Sequence, residues 1–257
     1  TVMALVVRNL KIGTGMPKIC VPITGQSIEE IKAEAVKIAA DESKADLVEW
    51  RADWFEDVFD KEAVWIVLNM LRKIINDMPL IATFRTKKEG GAAKPCSLSS
   101  YKQWILWVIG NGQADLIDIE WSAGEETAAE LIQAAHVAGV KVIMSNHDFE
   151  KTPSDDVMTD RLMSMALSGA DIGKIAVMPH SGEDTARLLQ VTARMSAKLA
   201  CPVITMAMGW YGIVSRLGGE TFGSCITFGT AGKASAPGQI DAGKLRTILE
   251  LIHGQKG

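Results

Sequence analysis

One kind of segment recurs along the chain and sets the fold, and its clearest example is Ala170-Asp171-Ile172-Gly173-Lys174-Ile175-Ala176-Val177. Apolar stretches of this length are typical of strands that are covered on both faces, as in a parallel sheet. We therefore predict a strand over 171–177. Seven further stretches of the same kind occur at 18–24, 45–51, 79–84, 114–120, 140–145, 202–208 and 224–228.

The spacing of these eight stretches indicates how the strands are connected. Their starts lie 22 to 35 residues apart, which leaves room for one helix and two loops in each interval. Such spacing is typical of βα units and a parallel sheet. Helix starts are predicted where a capping side chain stands three positions before an acidic one. This pattern occurs at Ser27 with Glu30, Thr127 with Glu130 and Ser181 with Asp184. In the glycine-rich interval before 224–228 we expect only a short helix or an ordered loop.

Eight βα units predict an α/β fold, a (β/α)8 TIM barrel that forms a single domain over 1–257. Positions 1–17 fit no βα unit, and we predict that they form an N-terminal β-hairpin that closes the barrel bottom. The competing fold is a doubly wound open sheet, which typically carries a glycine-rich nucleotide-binding loop in its first βα turn. That turn is Thr24-Gly25-Gln26-Ser27 and lacks the Gly-x-Gly-x-x-Gly fingerprint, so the barrel is favoured.

The composition argues against several classes of function. The chain has 257 residues and a formal net charge of −4, without the basic excess by which proteins gather nucleic acid or anionic lipid. Its apolar runs are far shorter than the ~18 residues that a bilayer span requires. Four widely separated cysteines predict free thiols in a reducing compartment, and they are Cys20, Cys96, Cys201 and Cys225. We expect a cytoplasmic protein with no nucleic-acid partner and no membrane partner.

Ionisable side chains stand at the carboxyl ends of most predicted strands, where a parallel barrel carries its active site. They are Glu49, Arg51, Arg85, Asp118, Glu120 and His147. Several of them also have a purely structural explanation. Glu49 and Arg51 are two residues apart on one side of a strand, and a simple ion pair accounts for them. Asp118 and Glu120 are equally well explained as partners of neighbouring cations.

Lys174 is the most informative of the polar residues because its neighbours in the strand are apolar. Burial disfavours the ammonium form and favours an amine that attacks a carbonyl carbon, as Schiff-base lysines do. The alternative is a lysine whose long side chain reaches solvent. His147, at a similar height on the preceding strand, supplies a proton carrier that titrates near neutrality. Together Lys174 and His147 predict covalent catalysis on a ketone.

The last part of the chain carries groups suited to an anionic ligand. Arg216 follows the seventh strand, and a lone arginine there suits a bidentate contact with a carboxylate. The loop that begins at Lys233, after the eighth strand, contains the hydrogen-bonding side chains Ser235 and Gln239 among small residues. Barrels often bind phosphate near these two strands. The residues themselves leave a carboxylate and a phosphate as open alternatives.

Six blocks of sequence resemble one known family when they are taken together. They are Glu49-Trp50-Arg51, Thr83-Phe84-Arg85, Asn146-His147-Asp148-Phe149, residues 169–176, Ser215-Arg216 and Ala234-Ser235-Ala236-Pro237-Gly238-Gln239. In this order, within about 18–241, they resemble type I 3-dehydroquinate dehydratase. The resemblance implies a (β/α)8 barrel of the shikimate pathway that dehydrates 3-dehydroquinate to 3-dehydroshikimate without a metal or a cofactor. It also implies a homodimer.

The resemblance assigns roles to individual residues. Lys174 matches the lysine that forms the Schiff base, His147 the general acid and base, and Glu89 the acidic residue that orients the histidine. Arg216 matches the ligand of the substrate carboxylate. Further matches to substrate-binding residues are Glu49, Arg51, Arg85, Met206, Met208, Ser235 and Gln239. The chain departs from the family pattern at Pro22, Asn146 and Gly173.

Two alternatives belong to other classes of protein. Another class I Schiff-base barrel, such as an aldolase, also uses a lysine on the sixth strand but serves phosphorylated sugars, with phosphate at Arg216, Ser235 and Gln239. A non-catalytic barrel acts as a ligand-binding or scaffold protein. The pairing of Lys174 with His147 argues against this second alternative.

Overall fold

The computed structural model describes residues 4–40, 44–232 and 234–255. The first three positions of the predicted hairpin segment and Lys233 of the predicted loop lie outside these ranges. The described chain forms a (β/α)8 barrel with an N-terminal hairpin, as the sequence predicts.

The hairpin consists of β1 (Leu5–Val7) and β2 (Leu10–Ile12), which pair in antiparallel fashion. The barrel strands are β3 (Lys18–Ile23), β4 (Leu47–Arg51), β5 (Leu80–Thr83), β6 (Leu116–Glu120), β7 (Lys141–Asp148), β8 (Ile172–Val177), β9 (Val203–Ala207) and β10 (Ile226–Thr230), and a short β11 (Ile240–Asp241) follows them. The helices are α1 (Ile28–Ala39), α2 (Lys61–Ile75), α3 (Leu98–Asn111), α4 (Glu125–Val137), α5 (Asp155–Leu167), α6 (Gly182–Lys198), α7 (Ile213–Leu217), α8 (Gly219–Phe222) and α9 (Ala242–His253).

Parallel pairing connects β10 to β3 and then runs in chain order to β9. The ring closes where Val203 of β9 bridges Ser224, just before β10, and the Cys225 amide donates to the Val203 carbonyl oxygen at 2.9 Å. All eight predicted strands are present. β7 extends three residues beyond its predicted end, because it stays paired with β8 as far as Asp148. This extension brings His147 into the barrel wall.

Side chains that point into the barrel form layers, because alternate residues of a strand face the same side. The layer at the amino end is apolar and takes one residue from each barrel strand, namely Cys20, Leu47, Ile81, Leu116, Ile143, Ile172, Ile204 and Ile226. Val7 and Ile12 of the hairpin pack against this layer and close the barrel bottom. Two residues further along, several strands carry a polar side chain in place of an apolar one. The barrel interior is therefore apolar at its amino end and polar toward its carboxyl end.

Capping side chains begin helices at two of the three predicted places. Ser27 and Ser181 each accept a hydrogen bond, at 3.2 Å, from the amide three residues further on. The prediction at Thr127 is wrong, because α4 already begins at Glu125 after Gly124, whose φ of +91° ends the preceding turn. The glycine-rich interval before β10 forms the two short helices α7 and α8. Among the described residues, no helix combines the length and the hydropathy that a bilayer crossing demands.

Three aspartates tie neighbouring strands together at the amino end of the barrel. Asp46, Asp115 and Asp171 each stand directly before a strand and accept a backbone N–H from the preceding strand at 2.7 to 2.8 Å. The amides that donate are those of Ile19, Leu80 and Val142. Each aspartate also contacts a basic side chain from a helix, and these are Arg246, Arg72 and His136. The three carboxylates therefore link β3 to β4, β5 to β6 and β7 to β8.

Asp115→Ala is expected to lower the free energy of unfolding by about 2–3 kcal/mol, because several charge-assisted hydrogen bonds are lost. The carboxylate lies 2.6 Å from Arg72, 2.7 Å from Arg8 and 2.8 Å from the Leu80 amide. Asp77→Ala is the control, since 73% of that side chain is exposed and its contact with Arg8 is 3.6 Å long. Urea denaturation measures both variants. Equal losses would contradict the role of Asp115 in joining the strands.

Candidate active site

A cavity that is open to solvent lies at the carboxyl end of the barrel. Ten of the eleven side chains that the sequence predicts for the site line this cavity. They are Glu49, Arg51, Arg85, Glu89, His147, Lys174, Met206, Met208, Ser235 and Gln239. Arg216 is the eleventh, and it contacts the loop 234–239 that forms one side of the cavity. The strand ends thus bring residues from distant parts of the chain to one place.

Lys174 lies in the middle of β8 and points into the barrel, where the residue is only 4% exposed. Its Nζ lies 3.8 Å from Glu49 Oε1 and 3.7 Å from Asp118 Oδ2. The ring of Phe228 covers it from another direction, with the ring centroid 4.4 Å from Nζ. The alternative in which this lysine reaches solvent is therefore wrong. A positive charge on Nζ is compensated by two buried carboxylates.

His147 lies beside Glu89 at the cavity. The His147 backbone amide and the ring atom Nδ1 both lie 3.0 Å from Glu89 Oε2. Burial, together with the positive charges of Arg85 and Lys174, lowers the pKa of the imidazole well below its usual value. Because a carboxylate oxygen accepts at Nδ1, the neutral ring carries its proton there and leaves Nε2 free. His147 is therefore prepared to accept a proton at Nε2.

The turn that follows β5 determines where Glu89 lies. This 3₁₀ turn, Lys87–Glu89, ends at Gly90, whose φ is +83°. A Cβ on the next residue, Gly91, would lie 1.8 Å from the carbonyl oxygen of Arg85. Glycine is therefore required at Gly91 for steric reasons and strongly favoured at Gly90 by its positive φ. The two glycines allow the chain to fold back so that Glu89 faces His147.

Hydrogen bonds to its second oxygen complete the environment of Glu89. Oε1 accepts from Ser122 Oγ at 2.5 Å and from Asn146 Nδ2 at 3.4 Å. Arg161 donates to Asn146 Oδ1 at 2.7 Å, which turns the amide nitrogen of Asn146 toward Glu89. Burial raises the pKa of the Glu89 carboxyl above its usual value. Asn146, one of the positions that depart from the family pattern, thus donates to the carboxylate that contacts His147.

Arg85 is the centre of a buried ion-pair network. Its guanidinium lies 2.9 Å from Asp118 Oδ2 and 2.9 Å from Glu120 Oε1. Ser145 Oγ accepts a hydrogen bond from Arg85 at 3.0 Å and donates one to Asp118 Oδ1 at 2.6 Å. Burial alone raises the pKa of Asp118, but the positive charges of Arg85 and Lys174 outweigh it and bring this pKa to about 2. The interpretation of Asp118 and Glu120 as partners of neighbouring cations is confirmed.

Glu49 and Arg51 do not form the ion pair that their spacing suggests. Arg51 instead makes a two-pronged ion pair with Asp53, with N–O distances of 2.8 and 2.9 Å. Glu49 Oε1 accepts a hydrogen bond from the Thr83 hydroxyl at 2.9 Å and lies near Lys174. The interpretation of Glu49 and Arg51 as a simple pair at a strand end is therefore wrong.

Arg216 is a buried cation without a carboxylate partner in the described part of the chain. The residue is 1% exposed, and its Nη2 donates to the Pro237 carbonyl oxygen at 2.9 Å. Nε and Nη1 have no hydrogen-bond partner among the described residues. Burial lowers the pKa of this guanidinium to about 10. Unsatisfied buried donors on a cation are suited to an anionic ligand.

Ser235 and Gln239 hold each other in the loop that Arg216 contacts. The Ser235 amide donates to Gln239 Oε1, and Gln239 Nε2 donates to Ser235 Oγ, each at 2.9 Å. These bonds give the loop a defined shape before any ligand is bound. Both side chains line the cavity.

The sequence groups Asp118 with the ionisable side chains at the strand ends but assigns it no contact with Lys174, and it gives no role to Phe149 or Phe228. Phe149 and Phe228 line the cavity, and Asp118 contacts Lys174 beneath it. For Asp118 a signal was present, because a strand rarely buries a carboxylate without a cation. Phe228 within an apolar strand and Phe149 just beyond the end of β7 give no such signal.

Comparisons with known proteins agree over almost the whole chain. The family model for type I 3-dehydroquinase matches residues 19–256. A 3-dehydroquinate dehydratase of Listeria monocytogenes is 46% identical over 251 residues, which cover 98% of each chain. A 3-dehydroquinate dehydratase of Bacillus licheniformis is 48% identical over 248 residues, which cover 96% of each chain.

Solved structures show the same similarity. The type I 3-dehydroquinate dehydratase of Clostridium difficile, determined with covalently modified comenic acid, matches with a TM-score of 0.95 at 43% identity over 99% of both chains. The 3-dehydroquinate dehydratase of Geobacillus kaustophilus matches with a TM-score of 0.96 at 36% identity over 99% of this chain and 98% of the other. A 3-hexulose-6-phosphate synthase, 18% identical with a TM-score of 0.57, shares the fold alone.

The lowered pKa of His147 predicts a neutral ring at about pH 6.5, where a free histidine is half protonated. Two-dimensional ¹H–¹⁵N spectra of the histidine rings, with free histidine as reference, are expected to show His147 unprotonated at Nε2. Because only this form accepts a proton, the acidic limb of kcat/KM is expected below pH 6.5. A His147 ring that is half protonated at about pH 6.5, or that carries its proton on Nε2, would contradict this account.

Proposed function

Because this chain belongs to the type I 3-dehydroquinase family, we propose that it converts 3-dehydroquinate to 3-dehydroshikimate through a Schiff base on Lys174. The reaction is that of a hydro-lyase, and we place it in the shikimate pathway of aromatic amino acid biosynthesis. The carrying observation is the buried amine of Lys174, which shares one cavity with the imidazole of His147. The covalently modified comenic acid in the related Clostridium difficile structure supports a covalent mechanism.

The first step in this proposal is addition of the Lys174 amine to the C3 ketone of the substrate. Nζ first passes one ammonium proton to Nε2 of His147, and its lone pair then forms the C–N bond. The carbonyl oxygen leaves as water, with a second proton from Nζ and the proton that His147 returns. The product is a protonated imine, or iminium, on Nζ. An iminium withdraws electrons from C2 more strongly than a ketone, so it makes the C2 proton easier to remove. Glu49, with its Oε1 3.8 Å from Nζ, faces the developing positive charge.

The second step is elimination, with His147 as the proton carrier. Nε2 removes the C2 proton, and the electrons of that C–H bond form the C=C bond of an enamine. The nitrogen lone pair then re-forms the iminium, and the electrons of the C2=C3 bond move to form a C1=C2 bond as the C1–O bond breaks. The departing hydroxyl takes the proton from His147, so that water leaves. Hydrolysis of the remaining iminium releases the product and restores Lys174. Glu89, 3.0 Å from Nδ1, stabilises the imidazolium that exists between the two proton transfers.

Substrate binding in this proposal depends on the cations and hydrogen-bonding groups of the cavity. Arg216 and the loop residues Ser235 and Gln239 receive the substrate carboxylate. Membership of the family favours a carboxylate over the phosphate of the aldolase alternative. Met206 and Met208 pack against the ring of the substrate. The ring hydroxyls are held by the charged side chains at the ends of β4 and β5, which are Glu49, Arg51 and Arg85.

We also propose that the chain works as one domain, as a homodimer and in the cytoplasm. These expectations follow from the resemblance to the family and from the strand count and composition. Light scattering coupled to size-exclusion chromatography measures the mass in solution. A mass of one chain at the working concentration would contradict the dimer.

Borohydride reduction in the presence of 3-dehydroquinate is expected to fix the substrate on Lys174. Reduction converts the imine into a stable amine, and mass mapping then finds the modified peptide. The peptide that contains Lys141, a lysine 40% exposed near the amino end of the barrel, is the internal control. Lys174→Met is expected to lose both the adduct and the ultraviolet-absorbing enone product.

Two results would contradict the proposed function. The first is turnover without any adduct on Lys174. The second is an adduct with phosphorylated keto sugars but none with 3-dehydroquinate, which would favour the aldolase alternative.

Arg216→Met is expected to lower kcat/KM by about 100-fold, because the ion pair with the substrate carboxylate is lost. The same change removes a buried charge that has no carboxylate partner among the described residues, so the Tm is expected to stay the same or rise. Steady-state kinetics and thermal denaturation measure the two effects. A large fall in Tm, or unchanged kcat/KM, would show that Arg216 has a structural role.

A further inference from the structure

Asp118 is a buried partner of Arg85 beside Lys174, and the proposed mechanism gives it no role. We propose that Asp118 is the counter-ion of the lysine imine and that its Oδ2 accepts the iminium N–H. This inference rests on the Schiff base proposed above. It concerns what happens after the C–N bond has formed, when Nζ carries one hydrogen and a positive charge.

Two carboxylates lie near Nζ, but they are not equivalent. Glu49 Oε1, 3.8 Å from Nζ, already accepts a hydrogen bond from Thr83 at 2.9 Å. Asp118 uses Oδ1 for the hydrogen bond from Ser145. Its Oδ2 lies 3.7 Å from Nζ and 2.9 Å from Arg85 Nη2, yet it accepts no well-directed hydrogen bond from the described residues. Oδ2 therefore retains a lone pair for the N–H of the iminium.

The other groups around Lys174 in the described part of the chain supply no competing negative charge. Arg85, just beyond the end of β5, is a cation, and His147 on β7 has a pKa held below its usual value by burial. On β3, burial and the charge of Glu49 raise the pKa of the Cys20 thiol well above its usual value, so this group stays neutral. Phe228 on β10 presents its ring. The negative charges close to Nζ therefore come from β4 and β6.

Ionised Asp118 matters because the chemistry requires a protonated imine. A neutral imine withdraws electrons from C2 less strongly, so proton removal by His147 becomes slower. Burial raises the pKa of Asp118, but Arg85 and Lys174 overcome this effect and hold it at about 2, so the carboxylate remains charged over the working range. A fixed charge in a site with little water stabilises the iminium without reorganisation.

Asp118→Asn and Glu120→Gln form a matched pair for testing this role. Both residues are buried on β6, and each carboxylate lies 2.9 Å from Arg85. Asp118 alone of the two has an oxygen within 4.0 Å of Lys174 Nζ, at 3.7 Å. Each variant removes one ion pair of Arg85, so an effect of that loss is expected in both variants. An effect on the charge of Lys174 Nζ is expected mainly in Asp118→Asn.

The first measurement is the rate of reductive methylation of Lys174 with formaldehyde and cyanoborohydride at one fixed pH, followed by mass mapping. Loss of the neighbouring negative charge favours the neutral amine that attacks formaldehyde, so methylation of Asp118→Asn is expected to be about tenfold faster than that of the wild type. For Glu120→Gln the acceleration is expected to be less than about threefold. Equal accelerations, or none in Asp118→Asn, would overturn the proposal. This assay needs no substrate, so it stands even if the Schiff base is refuted.

The second measurement addresses the iminium itself. With 3-dehydroquinate, Asp118→Asn is expected to lose about tenfold in kcat and to give less borohydride adduct at saturation, with a smaller change in KM. A structure of the reduced wild-type adduct needs no variant and is informative even if Asp118→Asn does not fold. Asp118 Oδ2 is expected within hydrogen-bond distance of Nζ. An N–H directed at Glu49 or at water would overturn the proposal, whereas absence of any wild-type adduct would refute the Schiff base instead.

Discussion

An amine buried inside a barrel requires negative charge beside it, and much of the site follows from that constraint. Lys174 sits between Glu49 and Asp118, each with an oxygen within 3.8 Å of Nζ. Those carboxylates are buried as well and need partners of their own, because an isolated buried ion is unstable. Arg85 forms ion pairs with Asp118 and Glu120, and the Thr83 hydroxyl donates a hydrogen bond to Glu49. The lysine is therefore the first member of a network that fixes the ends of three neighbouring strands, β4 to β6.

The amino end of the barrel contributes mainly to stability, and the carboxyl end carries the groups suited to chemistry. The amino end has an apolar layer with one side chain from every barrel strand, closed by the hairpin and joined by the aspartates before β4, β6 and β8. The carboxyl end has charged layers and a cavity. Burying so many ionisable groups stabilises little by itself, and Arg216 is buried without a carboxylate partner among the described residues. The apolar amino end therefore stabilises the barrel, and the ionisable groups at the carboxyl end are available to bind a ligand.

The sequence predicts the eight strands and the positions of most site residues, because both depend on local patterns. Short apolar runs at regular spacing predict the strands, and alternation predicts which side chains face inward. Partners are harder to predict, since they depend on how far one strand is shifted relative to the next. Arg51 therefore pairs with Asp53 and not with Glu49, and the contact of Asp118 with Lys174 was not predicted. The start of α4 was misplaced because Gly124 ends the preceding turn before Thr127. The lack of a carboxylate partner for Arg216 among the described residues is a property of the folded chain and leaves no local pattern.

The central claim is that Nζ of Lys174 becomes covalently bonded to the substrate during turnover. The most direct test is ¹³C NMR of enzyme labelled with ¹⁵N at the lysine Nζ, mixed with 3-dehydroquinate labelled with ¹³C at C3. The account predicts an imine carbon signal split by one-bond coupling to ¹⁵N, and loss of this splitting in Lys174→Met. A spectrum that shows turnover with only ketone carbon signals and no coupling to nitrogen would contradict it.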